Sequence, residues 1–357
     1  MSPVAQDTIY ESRMSKAKPK MNSKQLVEKM IDKGITISPY SKESVEEYLL
    51  SSNNFLRLCS YRKLFPKHKC GKNAGKYINL SFDQLKALAI LDMKLRKYIL
   101  SMCIDIERGL KVKLLRDFEQ SDNDGYSIVQ DFFKTKYGAK IAKNIIQKHT
   151  NIYINGLANK YIYEKENDNV FYIDFYKHSL NKTIAYNVDL PIWSMLEMIT
   201  FGEFLHFYSF YYDKSIHPDS PVIPIQHKIL MNVKNMRNAC AHNNCILTNL
   251  TDKSAKVKPN IKQYISDLDI GIADTGIKKK LKCKVINEII CVFYSLDKVS
   301  STAVTNHDYN ELSLQMHNYQ QKYMQLFDKN NLILTSFEFL QKTVDKLKEI
   351  WYNKHVI

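Results

Sequence analysis

Residues 81–118 read SFDQLKALAILDMKLRKYILSMCIDIERGLKVKLLRDF, with no proline anywhere in the stretch. Leu85, Leu88, Ala89, Asp92, Leu95, Ile99, Met102, Ile106, Leu110 and Leu114 recur almost throughout at three or four positions, the period of an amphipathic helix. Ser81 followed three residues later by Gln84 is a capping-box start. A helix this long is expected to be the spine of the fold. Gly (10) and Pro (9) are scarce for 357 residues, which disfavours a turn-rich β architecture. The expectation is an all-α helical bundle with additional N- and C-terminal helices.

Residues 1–20 are polar, basic and aperiodic and are expected to form a flexible tail, with 21–357 as a single all-α domain. NSKQLVEKMIDKG offers Asn22 or Ser23 as N-cap and Gly34 as stop, and SKESVEEYLLSS starts again from Ser41. Residues 120–188 carry no motif, and no repeat of fixed period is visible. DLPIWSMLEMITFGEFLHFYSFYY predicts a helix after Pro191, with Gly202 marking a bend or a close contact. Further helices are predicted through VINEIICVFYSL and over about 308–328 and 335–353.

A formal net charge of +15 attracts polyanions, with RNA, DNA and acidic lipid as the usual partners. No run of 18 apolar residues appears and the N-terminus lacks a signal-peptide core, so a soluble cytoplasmic protein without a membrane partner is expected. The seven cysteines form no CxxC pair, which suggests reduced thiols, no metal site and no cofactor. In FLRLCSYRKLFPKHKCGKNAGKY (55–77), Phe55, Tyr61, Phe65 and Tyr77 are interleaved with Arg57, Arg62, Lys63, Lys67, Lys69, Lys72 and Lys76. Basic groups beside aromatic rings suit phosphate contact and base stacking. An aromatic edge packed in the core beneath a solvated basic face fits the pattern equally well. Lys278, Lys279 and Lys280, with Lys282 and Lys284, form a second basic cluster open to the same two readings.

RNACAHNN (237–244) closes a helix predicted over about 223–243. At about 100° per residue, Ile229, Val233, Met236 and Cys240 form one stripe. Asn238 and His242 lie roughly opposite it, with Arg237 on the flank. Cleaving RNA through its own 2′-OH needs an acid or base of near-neutral pKa, a cation for the phosphorane charge and a polar group to fix geometry. His242, Arg237 and Asn238 supply one of each, and the nucleophile belongs to the substrate. The alternative is plain helix termination, with Asn243 or Asn244 as a left-handed cap and His242 complementing the dipole. Histidines 149, 178, 206, 217, 227, 307, 317 and 355 show no partner pattern and read as structural or surface residues.

RNACAH resembles the R-N-x-x-x-H motif of HEPN ribonucleases. NNFLRLCSYRKLF, FDQLKALAILDMKLRKYILSMCIDIE and LPIWSMLEMITFGEF are similar to the Abi_2 family of bacterial abortive-infection proteins, a likeness spanning about residues 22–250. The resemblance implies a HEPN-like domain within the all-α fold, RNA as substrate or bound regulatory partner, and antiphage growth arrest. HEPN ribonucleases pair two such motifs, and this chain holds one, which implies a homodimer with two copies of Arg237 and His242 converging. Glu197, in the segment like the family signature, is a candidate to pair with Arg237 and hold it. The chain departs from many relatives after the histidine, where Asn243 and Cys245 replace a second histidine and an arginine.

Overall fold

The computed structural model describes residues 19–147, 152–163, 170–177 and 180–356. His149, His178 and all but the last two residues of the expected basic tail lie outside them. The chain is mainly helical, as the sequence predicts. It divides into two compact units, Met1–Met93 with Asn318–Thr335, and Lys94–His317 with Ser336–Ile357.

In the first unit, α1 (Ser23–Asp32) begins at Asn22, whose side chain and that of Gln25 satisfy each other's backbone N–H groups. The chain leaves α1 through Gly34 at φ +81°, a left-handed turn in which a Cβ would stand 3.0 Å from the Lys76 Cβ. A two-residue parallel pairing follows, β1 (Ile35–Thr36) with β2 (Leu80–Ser81). Ser41 caps α2 (Lys42–Ser51). A short helix α3 (Phe55–Leu58) runs into a 3-10 helix, Cys59–Leu64. The long helix α4 (Phe82–Glu119) opens with the expected box, the Ser81 N–H donating to Gln84 Oε1 (2.8 Å) and the Gln84 N–H to Ser81 Oγ (3.2 Å).

From Lys94 onward α4 belongs to the second unit. Its expected stripe is buried from Leu85 to Leu114, with Ala89 alone half-buried. Gly109 sits where α4 meets the end of a later helix, α13 (Lys284–Val299); a Cβ there would stand 2.6 Å from the Val299 carbonyl oxygen, too close for any side chain.

Helices α5 (Ser127–Lys134), α6 (Lys136–Gln147) and α7 (Ile152–Tyr161) precede a three-stranded antiparallel sheet. Its order is β3 (Ile162–Tyr163), β5 (Leu180–Val188), β4 (Val170–Lys177), with Val170 opposite Asn187 and Lys177 opposite Leu180. This sheet and the short β1–β2 pairing depart from the helical expectation, and the sheet falls within the segment in which no motif was legible.

The helix predicted after Pro191 is two helices, α8 (Ile192–Met198) and α9 (Phe201–Tyr211). The break lies at Ile199, which is extended, and not at Gly202. Thr200 restarts the helix with a second capping box to Glu203. α10 (His227–Ala241) packs along α9 and most extensively along α13, burying Ile229, Leu230, Val233, Met236 and Cys240. Between α10 and α13 come a 3-10 turn (Ile246–Thr251), α11 (Pro259–Asp267) and α12 (Asp274–Leu281). α14 (Thr302–Tyr323) and α15 (Asn331–Val356) close the chain. Five of the seven cysteines are buried free thiols, Cys70 is exposed and Cys245 half-buried. No helix among the described residues is long and apolar enough to cross a membrane.

Candidate nucleic-acid site on helix α10

The motif helix ends in a built stop. His242 is the C-cap, Asn243 takes the left-handed conformation at φ +59°, and two backbone bonds close the turn. The Asn243 N–H donates to the Cys240 carbonyl (3.0 Å) and the Asn244 N–H to the Ala239 carbonyl (2.8 Å), the paired pattern of a Schellman motif. Arg96, almost fully buried on α4, donates through Nη1 to the Asn244 carbonyl (2.8 Å) and more weakly to that of Asn243 (3.4 Å). The helix end that carries His242 is therefore fixed by its own backbone and by a buried guanidinium, while the His242 side chain is exposed. The capping role expected as an alternative for Asn243 is real, and it coexists with an exposed imidazole.

Arg237 and Asn238 are brought together. Arg237 Nη1 donates to Asn238 Oδ1 (3.4 Å), and Arg237 Nε is buried with no hydrogen-bond partner among the described residues. Both line a recess of about 440 Å³ between α6, α9 and α10, together with Tyr137, Lys140, His206 and Lys234. His242 does not line it. On the helix wheel Arg237 and His242 stand about 140° apart, so one chain does not place them in a common pocket.

Lys234 crosses α9 at Gly202, where a Cβ would stand 2.9 Å from Cε, the movable end of the lysine side chain. Of the two outcomes expected at this glycine, the close contact holds. Glu203, also in the recess, is occupied: Oε2 accepts from the Thr200 N–H and Oγ1 (2.8 Å each) and Oε1 from Asn144 Nδ2 (2.9 Å). Glu197 is exposed on α8 and forms no ion pair with Arg237 among the described residues; the carboxylate that shares the recess with Arg237 and Asn238 is Glu203.

His206 stacks on Tyr137 with ring centroids 4.3 Å apart and planes 13° from parallel. Behind it lies His227, 6.0 Å away and hydrogen-bonded through Nδ1 to Ser209 Oγ. Burial, then the neighbouring His227 and Lys234, pushes His206 below the usual histidine range, and burial does the same to His227. Both imidazoles are therefore held neutral at neutral pH. The sequence offered no sign of this cluster because its members lie on three separate helices.

A second basic recess of about 210 Å³ lies on the other polar face of α10, lined by Lys228, Asn232, Asn235, Lys256, Lys258 and Lys284 among others. Lys228, Asn232 and Asn235 follow at i, i+4 and i+7, and His242 continues the line seven residues on. Only Lys284 belonged to a cluster marked in the sequence. The i, i+4, i+7 spacing was the signal that could have found the rest.

Elsewhere the predicted basic residues divide. In the first unit Tyr61 and Phe65 are buried, so they pack the core and are not stacking platforms. Half-buried Arg62 lies over the Phe55 and Tyr77 rings (5.8 and 5.9 Å), and exposed Lys67 over Tyr77 (4.7 Å). Lys63 and Lys69 are exposed and Arg57 is half-buried. In the second unit Lys278 and Lys279 are exposed on α12, whereas half-buried Lys280 donates to Ser336 Oγ (3.1 Å) and is pushed down to about 8 by burial.

Neither the curated proteins nor the solved structures provide a match to the chain. The family model described as Abi-like protein, Abi_2, matches residues 48–248, a span that takes in α4, the recess and the whole of RNACAHNN. Matched over more than half its length, the chain belongs to the Abi-like family of abortive-infection proteins.

Proposed function

We propose that this abortive-infection protein is a HEPN-type endoribonuclease that cleaves RNA by the attack of the substrate's own 2′-OH. His242 exchanges the proton of the 2′-OH or of the departing 5′-oxygen, Arg237 stabilises the charge building on the phosphorane, and Asn238 orients the phosphate. The products are a 2′,3′-cyclic phosphate and a free 5′-hydroxyl. No metal or cofactor enters this chemistry, because nucleophile, proton carrier and cation are all supplied by RNA and protein.

The observation that carries the reading is the pairing of Arg237 and Asn238 in a recess holding two further cations, Lys140 and Lys234, on the same helix whose fixed end presents His242. Because Arg237 and His242 face different directions on one α10, a complete site calls for a second chain, with the imidazole of one copy meeting the guanidinium of the other. The test is His242→Ala. Its exposed side chain makes the substitution structurally mild, and the expected outcome is an unchanged thermal midpoint with loss of both RNA cleavage and growth arrest. Cleavage at the wild-type rate by this variant, yielding the same cyclic-phosphate ends, would refute the assignment.

A second reading has its own support. Asn243, where many relatives place a second histidine, is committed to the helix stop by its left-handed backbone. A site short of one proton carrier could hold a structured small RNA without cutting it. Intact RNA after prolonged incubation, bound with steep salt dependence, would favour that reading.

A further inference from the structure

The recess beside the motif has features that phosphate chemistry alone does not require. Tyr137 stands at the start of α6 with 58% of its surface exposed, stacked nearly parallel on His206. Its position is dictated by the backbone: Thr135 caps α6, its Oγ1 accepting from the Gly138 N–H (3.0 Å). A Cβ on Gly138 would stand 1.8 Å from the Phe132 carbonyl oxygen. Only glycine allows that junction, and the junction fixes the tyrosine next to it.

His206 is held from behind by His227 and kept uncharged, so the stack presents a neutral aromatic face. The same recess is lined by Lys140, one turn on from Tyr137 along α6, and by Lys234 and Arg237 from α10, none with an ion-pair partner among the described residues. The one carboxylate present, Glu203, is turned to the Thr200 cap and Asn144. An aromatic platform beside three cations and a single carboxylate, in an open recess of about 440 Å³, matches a planar base joined to an anion.

We propose that this recess is a nucleotide subsite for single-stranded RNA, in which one base stacks on the Tyr137–His206 pair while Lys140, Lys234 and Arg237 hold the adjoining phosphate. The proposal rests on the RNA reading above and deepens it. The strand must be unpaired at this point, because a base inside a duplex has no free face to offer Tyr137. Lys234 passes close over Gly202 on its way into the recess.

The test is binding of a short 2′-O-methylated RNA, which cannot be cleaved, followed by fluorescence anisotropy across a salt series. Tyr137→Ala is expected to weaken binding about tenfold, the order of one lost stacking contact. Tyr137→Phe, which keeps the ring, is expected to bind like the parent. Lys234→Gln is expected to reduce the slope of log affinity against log salt by about 0.7, one single-strand phosphate contact. Thermal melts confirm folding, and His242 is untouched throughout.

If the parent binds the oligonucleotide and both Tyr137→Ala and Lys234→Gln match its affinity and slope, the subsite is overturned and the RNA reading stands. If the parent does not bind it at all, the RNA reading falls and takes the subsite with it. Free mononucleotides are the competing arm: competition with the affinity of the oligonucleotide itself would overturn the assignment to a strand.

Discussion

Asp297 illustrates how a single side chain can register pH in the fold. Its Oδ1 accepts from Tyr309 (2.9 Å) and Trp351 (2.9 Å) and its Oδ2 from Tyr264 (2.6 Å), yet burial outweighs those three donors and pushes the carboxyl up to about 6 from 3.8. A carboxyl raised in the folded state binds its proton more tightly there than when unfolded. Its contribution to stability therefore declines as pH rises from about 4 to about 6 and is level above that. Asp308 is also raised to about 6, by burial and then by Asp105, and acts in the same direction. Chemical denaturation across that range is expected to show Asp297→Asn gaining stability relative to the parent as pH rises. The slope is the readout, since the lost acceptor capacity adds a constant offset. A pH-independent difference would contradict the assignment.

At the scale of elements, the end of α10 is the point where folding and chemistry meet. Asn243 occupies the left-handed region, which costs an L-residue without a local hydrogen-bonding side chain about 1–2 kcal/mol. Asn243→Ala is thus expected to lower stability by about 1 kcal/mol in urea titration, while Asn243→Gly leaves it within a few tenths. Equal losses from both would mean that the side chain, and not the backbone angle, is what position 243 supplies. The sequence made most of this element legible. The stripe through Ile229, Val233, Met236 and Cys240 is buried as the phasing required. Much of α4 was equally legible, because a long amphipathic period over a capping box leaves little freedom. The break between α8 and α9 was not: Thr200 and Glu203 spell a capping box, but the continuous apolar run around them masked it.

For the whole molecule, the excess of 15 positive charges and the position of α10 make two linked expectations. If Arg237 of one copy serves His242 of another, sedimentation should show a dimer. Mixing Arg237→Ala with His242→Ala chains should then restore part of the cleavage that each lacks alone, since mixed dimers keep one intact Arg–His pairing. Activity from a strictly monomeric species would contradict the shared site. RNA affinity should also fall steeply with salt in proportion to the phosphates neutralised. The basic groups that count are those the fold leaves without partners. Among the described residues Lys140 and Lys234 qualify; Lys280, half-buried against Ser336, is a weaker candidate.

What the sequence determined by itself is what repeats locally: the helical class, the spine and its cap, and the phasing that set Arg237, Asn238 and His242 apart from the buried stripe. These follow from near-neighbour geometry, in which three or four residues fix a face. The tertiary structure alone decided which surfaces meet. It paired Arg237 with Lys140, His206 and Tyr137 from helices about 30 to 100 residues away in sequence. It seated Arg96 under the motif's last turn, and it sent Tyr61 and Phe65 into the core while leaving Tyr137 outside. No spacing rule encodes such encounters, because they depend on how whole helices pack and on where a glycine lets two of them touch.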